Sequence, residues 1–132
     1  MFENRPSKIR DIGNKDGWRL PTKDEMKNLG IALDAGEYWT CTETGLYNAY
    51  YIEVWFDENT SQIRTRVHDG NKVGAAKAMF IKDTASGVEV APQTISPSGD
   101  SLWTWHEAVQ AAENKNAAED MIANLNKEIE NI

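Results

Sequence analysis

Cysteine is almost absent from this 132-residue chain: Cys41 stands alone, and no intrachain disulfide is possible. Histidine is nearly as scarce, with His68 and His106 far apart in sequence. His68 beside Asp69 has the composition of half an acid–base or metal pair, but turn residues of this kind are ordinarily just solvated. His106 is the second residue after a helix cap, where a surface role is the default. No zinc spacing, Gly-rich phosphate loop or EF-hand loop occurs, so no metal and no cofactor is expected. No apolar run approaches the ~18 residues of a membrane span, so membrane insertion is not expected either. Basic clusters are also missing. Arg64 and Arg66 share one strand face, but two charges make a weak patch, and phosphate neutralisation needs many more. Nucleic acid is therefore not an expected partner. The start, MFENRPSKIRD, lacks the apolar stretch of a secretory signal. The expectation is a protein that acts inside a cell or reaches a surface by another route, of which virion assembly is one.

What is abundant is tryptophan. Trp18, Trp39, Trp55, Trp103 and Trp105 give so short a chain a large aromatic payload for a core or an interface. Hydrophobic residues make up 40% and charged residues 27%, as in an ordinary folded domain, and the length fits one domain or one domain with an appendage. The net charge of -7 is unevenly spread. Charges nearly balance up to Asp83. From Ser101 onward, Lys115 and Lys127 face Glu107, Glu113, Glu119, Asp120, Glu128 and Glu130.

The clearest local signal is the capping box Thr22-Lys23-Asp24-Glu25 with Pro21 just before it, which predicts a short helix with Met26 and Leu29 pointing inward and Gly30 helping to end it. Asn4 to Gly17 reads as loop. Tyr38 to Thr42 reads as a strand. Ala49 to Phe56 is a better one, with Tyr50, Ile52, Val54 and Phe56 on one face and Tyr51, Glu53 and Trp55 on the other. Asp57-Glu58-Asn59 reads as a hairpin turn, Ile63, Thr65 and Val67 as the returning strand, His68-Asp69-Gly70-Asn71 as a second turn, and Lys77 to Ile81 as a last strand. The pattern is α+β: a helix followed by an antiparallel meander. Residues 84–100 are rich in Ser, Gly, Pro and Thr and read as a linker or extended arm between a core at 1–83 and a helix at 101–132. That helix opens on a second capping box, Thr104-Trp105-His106-Glu107. Heptad a/d positions fall on Ala108, Ala111, Lys115, Ala118, Ile122, Leu125, Ile129 and Ile132. Ile122, Leu125, Ile129 and Ile132 are the candidate oligomerising residues, and a surface helix packed on its own domain is the competing reading.

Gly17-Trp18-Arg19-Leu20-Pro21-Thr22-Lys23-Asp24-Glu25-Met26 resembles the G-W-R-L-P-T-x-x-E-L signature of two bacterial C-type-lectin-like families, the Lcl carboxy-terminal domains and the major-paralogue surface domains. Tyr38-Trp39-Thr40-Cys41-Thr42-Glu43 is similar to their Y-W-S-S-T-E segment, and Ala49-Tyr50-Tyr51-Ile52-Glu53 to their A-W-Y-V-D-F strand. Lys77 to Lys82 stands less faithfully where those families carry V-R-P-V-R. The resemblance covers roughly residues 12 to 83 and implies a C-type-lectin-like fold. It also bears on the tail. Thr104-Trp105-His106-Glu107-Ala108 looks like the T-W-x-E-A helix that these families place upstream of R-L-P-T, whereas here it lies downstream. Circular permutation, exchange of the helix with a neighbouring subunit, and coincidence all account for that order.

R-L-P-T-x-x-E also resembles a motif of formylglycine-generating enzymes, but those rely on reactive cysteines late in a much longer domain. Cys41 in a strand reads instead as a buried structural thiol. The E-P-N or Q-P-D triplet and W-N-D of calcium-dependent lectins do not occur. Glu43, Asp57 and Glu58 could supply oxygen ligands, but surface carboxylates on loops are common without any ion, and calcium is not expected. The motif residues Trp18, Arg19, Leu20, Pro21, Thr22 and Glu25 read as structural, with Trp18 and Leu20 against the sheet and Arg19 on a carboxylate or carbonyl. Candidate ligand-binding residues are Tyr47, Tyr51, Trp55, Arg64 and His68, because aromatic and Arg side chains dominate interface hot spots. The expectation is a non-enzymatic binding module of an extracellular surface or a virion, meeting a protein or glycan receptor and forming homo-oligomers. A structural component such as a phage head-fibre or decoration protein is the alternative.

Overall fold

The computed structural model describes residues 10–13, 16–29, 34–91 and 102–130. The elements run β1 (Arg10–Asp11), α1 (Lys23–Leu29), β2 (Gly36–Glu43), β3 (Asn48–Asp57), β4 (Gln62–Asn71), β5 (Ile81–Thr84), β6 (Gly87–Val90) and α2 (Trp105–Glu130). The class is α+β. Strands β1 to β4 form one antiparallel sheet in sequence order, and β5 and β6 form a separate hairpin.

The alternation along β3 sorts the core into two layers. Ile52 and Val54 point to the face covered by α1, where Met26, Tyr38, Met79 and Ile81 join them and Leu29, Ile63 and Val67 flank them. On the opposite face Trp39, Cys41 and Ala49 meet Trp18, Leu20, Phe80, Trp103, Trp105, Ala108 and Ala112. Strand β2 lies between these layers, and every residue from Tyr38 to Glu43 is buried. Its register against β3 slips between Trp39 and Glu43, so the intervening residues need other partners. They have them. The Cys41 amide donates to the Pro21 carbonyl (2.8 Å) and the Cys41 carbonyl accepts from Ile12 N–H (2.9 Å). The Thr40 carbonyl accepts from Trp105 Nε1 (2.8 Å), and Thr42 Oγ1 accepts from Lys23 N–H (2.9 Å) while donating to Asp11 (2.6 Å).

Helix α1 starts as a reciprocal capping box: Glu25 N–H donates to Thr22 Oγ1 (3.2 Å) and Thr22 N–H to Glu25 Oε1 (2.8 Å). The same Glu25 carboxylate takes both ends of the buried Arg19 guanidinium (2.7 and 2.9 Å), and Asp83 takes one end from the other side (3.2 Å). Backbone pairing of Arg19 with Ile81 in both directions locks this segment to the start of β5.

Helix α2 has its own capping box, with Thr104 N–H on Glu107 Oε1 (2.9 Å) and Glu107 N–H on Thr104 Oγ1 (3.3 Å). Its first turns pack on the body of the same chain through Trp105, Ala108 and Ala112, small residues letting the helix come close. One turn on, Asn116 brackets the Trp18 peptide, accepting from its N–H (2.6 Å) and donating to its carbonyl (3.0 Å). A Cβ on Gly17 would meet Asn116 Oδ1 at 2.5 Å, so glycine is required there by the approach of the helix. Trp18 Nε1 donates to Glu119 (2.8 Å), and Lys115 lies over the Trp18 ring. From Ala117 to Glu130 every side chain is exposed. No helix among the described residues is long and apolar enough to cross a membrane.

Three local expectations are corrected. His68 to Asn71 is not a turn but the end of β4, because β3 is long enough to pair all ten residues and the ladder outweighs local turn preference. The reversal comes after it, where Asn71 accepts from the amides of Val73 and Gly74. Lys77 to Ile81 is not a continuous strand. Ala76, Lys77 and Ile81 each bridge a different partner (Trp103, Tyr38 and Arg19), so no ladder builds until β5. The stretch read as a linker from residue 84 begins as the β5–β6 hairpin, turned at Ala85-Ser86 with Gly87 at a φ of 136°. Residues 92–100, Gly30 and Ile132 lie outside the described residues.

Arg19 holds the Glu25 carboxyl down from 4.5 to about 2, mainly through the hydrogen-bonded ion pair. A depressed carboxylate stabilises the fold above its unfolded pKa, and that contribution is lost as pH falls through the folded value. Acid titration of folding is therefore expected to show a loss between about pH 4.5 and 2 that flattens in Glu25→Gln, read by tryptophan fluorescence. An unchanged titration in the variant contradicts the assignment.

Candidate binding surface

Two loops meet at one end of the sheet: Thr44–Tyr47, joining β2 to β3, and Lys72–Ala75, which follows β4. They are joined by the backbone bond from Lys72 N–H to the Tyr47 carbonyl (2.9 Å), and the first loop is closed on itself by Thr44 N–H on the Asn48 carbonyl (3.0 Å). Beneath them lies a buried charge. Lys72 Nζ bonds Glu43 at 2.8 Å, with both side chains less than a tenth exposed, and donates to the Leu46 carbonyl (3.2 Å). The same ammonium sits 4.3 Å from the centre of the Trp105 ring, and the Trp105 backbone N–H donates to the Lys72 carbonyl (3.0 Å). One lysine thus ties both loops to the start of α2. On this base stand Leu46, Tyr47 and Val73, exposed by 57%, 71% and 77%. Three large apolar side chains turned to water on loops with so many bonds form a firm, solvent-facing apolar surface.

A second surface is the β3–β4 face beyond the reach of α2. Cross-strand pairing sets Tyr51 opposite His68, Glu53 opposite Arg66 and Trp55 opposite Arg64. The Tyr51 and His68 rings stack at 5.1 Å, and Tyr51 meets Trp39 edge-on at 5.8 Å. Gly70 leaves the space for this: a Cβ there would meet the Tyr51 ring at 2.6 Å. His68 Nε2 lies 2.8 Å from Glu53, Arg66 covers the Trp55 ring, and Arg64 pairs with Asp57 at 2.6 Å. Burial, then Glu37 and Glu53, push the Tyr51 hydroxyl pKa upward. Along this ladder His68 is thus engaged by Glu53, Arg64 by Asp57, and Arg66 lies over the Trp55 ring.

A cavity of about 280 Å³ lies beside the motif, lined by Asp11, Arg19, Thr22, Glu25, Cys41 and Asp83 among others. Burial pushes the Cys41 thiol up to about 12, which leaves it protonated and a poor nucleophile at neutral pH. The carboxylates Glu25 and Asp83 are engaged by Arg19. Among the described residues no three His, Cys, Asp or Glu side chains are placed to hold a metal ion.

Of the residues singled out in the sequence, Tyr51, Trp55, Arg64 and His68 share the β3–β4 face. Tyr47 stands apart on the loop surface, eight residues along β3 from Trp55, or roughly 26 Å. Trp18, Leu20 and Pro21 are buried, and Arg19, Thr22 and Glu25 form the ion pair and cap. Ile122, Leu125 and Ile129 are exposed on the far half of α2. Sequence reasoning missed Leu46 and Val73. The available cue was an apolar residue inside a turn, as in Asn71-Lys72-Val73-Gly74. Nothing in the sequence marks Lys72 or Glu43 as buried. Comparison with known families, curated proteins and solved structures returns no match for this chain.

Removing one partner of a buried pair strands the other charge. Lys72→Met is expected to cost about 3 kcal/mol in urea unfolding, and the double change Lys72→Met/Glu43→Leu to regain much of it. A single variant as stable as the parent refutes the pinning role.

Proposed function

We propose that the chain is a non-catalytic binding module of the C-type-lectin-like kind, which meets a protein or glycan receptor through the loop surface of Leu46, Tyr47 and Val73. The observation that carries this reading is the contrast between those three exposed side chains and the buried Lys72–Glu43 pair beneath them. Loops held this firmly lose little entropy on binding, which favours a surface kept for recognition. The sheet-face ladder is the weaker site, because its charges and rings are mutually engaged. Support for the fold comes from the sequence resemblance. The motif residues Gly17 to Glu25 do architectural work: glycine admits α2, tryptophan receives it, arginine and glutamate join α1 to β5. Cys41 as a buried, protonated thiol speaks against oxidase chemistry at that residue. A place on a cell surface or a virion follows from this role.

The test is the labelled chain applied to arrayed glycans and arrayed extracellular protein domains, beside Leu46→Ser/Tyr47→Ala/Val73→Ser. Binding by the parent at least tenfold above the triple variant is expected. Binding that the triple variant keeps and Trp55→Ala loses would move the site to the sheet face. Hydrolysis or oxidation of an arrayed compound would overturn the non-catalytic reading.

A further inference from the structure

We propose that the far half of α2 pairs with the same segment of a second copy as a parallel two-stranded coiled coil. The starting point is a mismatch of faces. Trp105, Ala108, Ala112, Asn116 and Glu119 lie on one side of the helix, and that side meets the body. Ile122, Leu125 and Ile129 do not continue it. At about 100° per residue their stripe centres roughly a third of a turn away. Packing on the chain's own body therefore does not account for them. All three, with Met121 beside them, are more than half exposed.

The segment also has no support of its own. After Glu119, which still reaches Trp18 and Lys82, about 16 Å of helix projects with every side chain in water. Helical stability in proteins comes mostly from packing of an apolar face, and this stretch packs on nothing in its own chain.

The spacing identifies the occupant as a second copy. Ile122 and Ile129 take a positions and Leu125 takes d, the combination that favours two parallel strands, and Ala118 is the preceding d. The residues that would meet across the seam, Met121 of one copy and Asn126 of the other, are uncharged, while Asp120 and Lys127 lie on the far side. Glu128 flanks the stripe at its far end with no position facing it from a parallel copy before the sequence ends its last heptad, so the one facing e/g pair of two copies in this stretch is the uncharged Met121 with Asn126. Four side chains per copy, at roughly 100 Å² each, bury about 800 Å² between two copies. That is less than the ~1,200 Å² of a standard stable interface, so the association is weak and concentration-dependent. Because the seam is a third of a turn from the docked face, the two bodies sit outside it and do not collide. The inference is independent of what the loop surface binds.

Sedimentation equilibrium of the full chain, over a hundredfold range reaching high micromolar concentration, tests it. The mass is expected to climb from one chain toward two. Ile122→Glu/Leu125→Glu should stay at one chain throughout, with the near-ultraviolet tryptophan spectrum of the body unchanged. Ala118→Cys should form a disulfide-linked dimer on mild oxidation, since d positions face each other only in the parallel arrangement. A chain monomeric at every concentration overturns the proposal, as does association that the double variant retains. A mass tending to three chains, or an Ala118→Cys variant that associates without cross-linking, overturns the two-stranded parallel form.

Discussion

Strand β2 is buried on both faces in a chain too short to supply a second large sheet, and this constraint organises everything around it. One face receives α1, which brings Met26 onto Ile52 and Val54. The other is closed by residues that arrive some sixty positions later. Trp39 Nε1 donates to the Trp103 carbonyl (2.8 Å), Trp105 Nε1 donates to the Thr40 carbonyl (2.8 Å), and Phe80 meets Trp103 edge-on at 5.7 Å. The slipped register in β2 gives these partners their place. Where β2 and β3 lose step, the freed backbone groups are taken up by Ile12, Pro21 and Trp105. An unpaired buried carbonyl or amide is costly, so sheet, motif segment and C-terminal helix are held to one another by the same few residues.

Two buried cations then fix what the apolar core leaves loose. Arg19 joins the cap of α1 to β5 through Glu25 and Asp83, and Lys72 joins both apical loops to α2 through Glu43, Leu46 and Trp105. Each is an expensive group to bury, and each is balanced by carboxylate and further contacts. Their value lies in geometry more than in stability. They convert loops and helix ends, ordinarily the most mobile parts of a domain, into positioned parts of a frame.

The capping boxes at Thr22 and Thr104 were readable in the sequence because every atom involved lies within four residues. So was the alternation along β3, where each side of the strand meets a different environment. Features set by distant partners were not readable. His68 to Asn71 has turn-forming residues, yet ten cross-strand pairs and the Tyr51 ring over Gly70 keep it in β4. Residues 77–81 look like a strand but serve three separate bridges. Lys72 has no local signature of burial, since its carboxylate partner is 29 positions away and its ring partner lies on α2. For the candidate site, composition pointed to the aromatic and basic face of β3 and β4, which proves largely self-satisfied. The exposed Leu46 and Val73 stand out only once the loops that carry them are seen to be anchored.

The central claim is that Trp103, Trp105 and the first turns of α2 complete the core of the same chain. The most direct measurement is denaturant unfolding of a chain ended at Asp100 beside one ended at Asp120, followed by near-ultraviolet circular dichroism. The account predicts that the longer chain unfolds cooperatively, close to the parent, and that the shorter one shows neither a cooperative transition nor an ordered aromatic signal. A chain ended at Asp100 that keeps both would contradict it, and would make α2 an appendage to a core that stands without it.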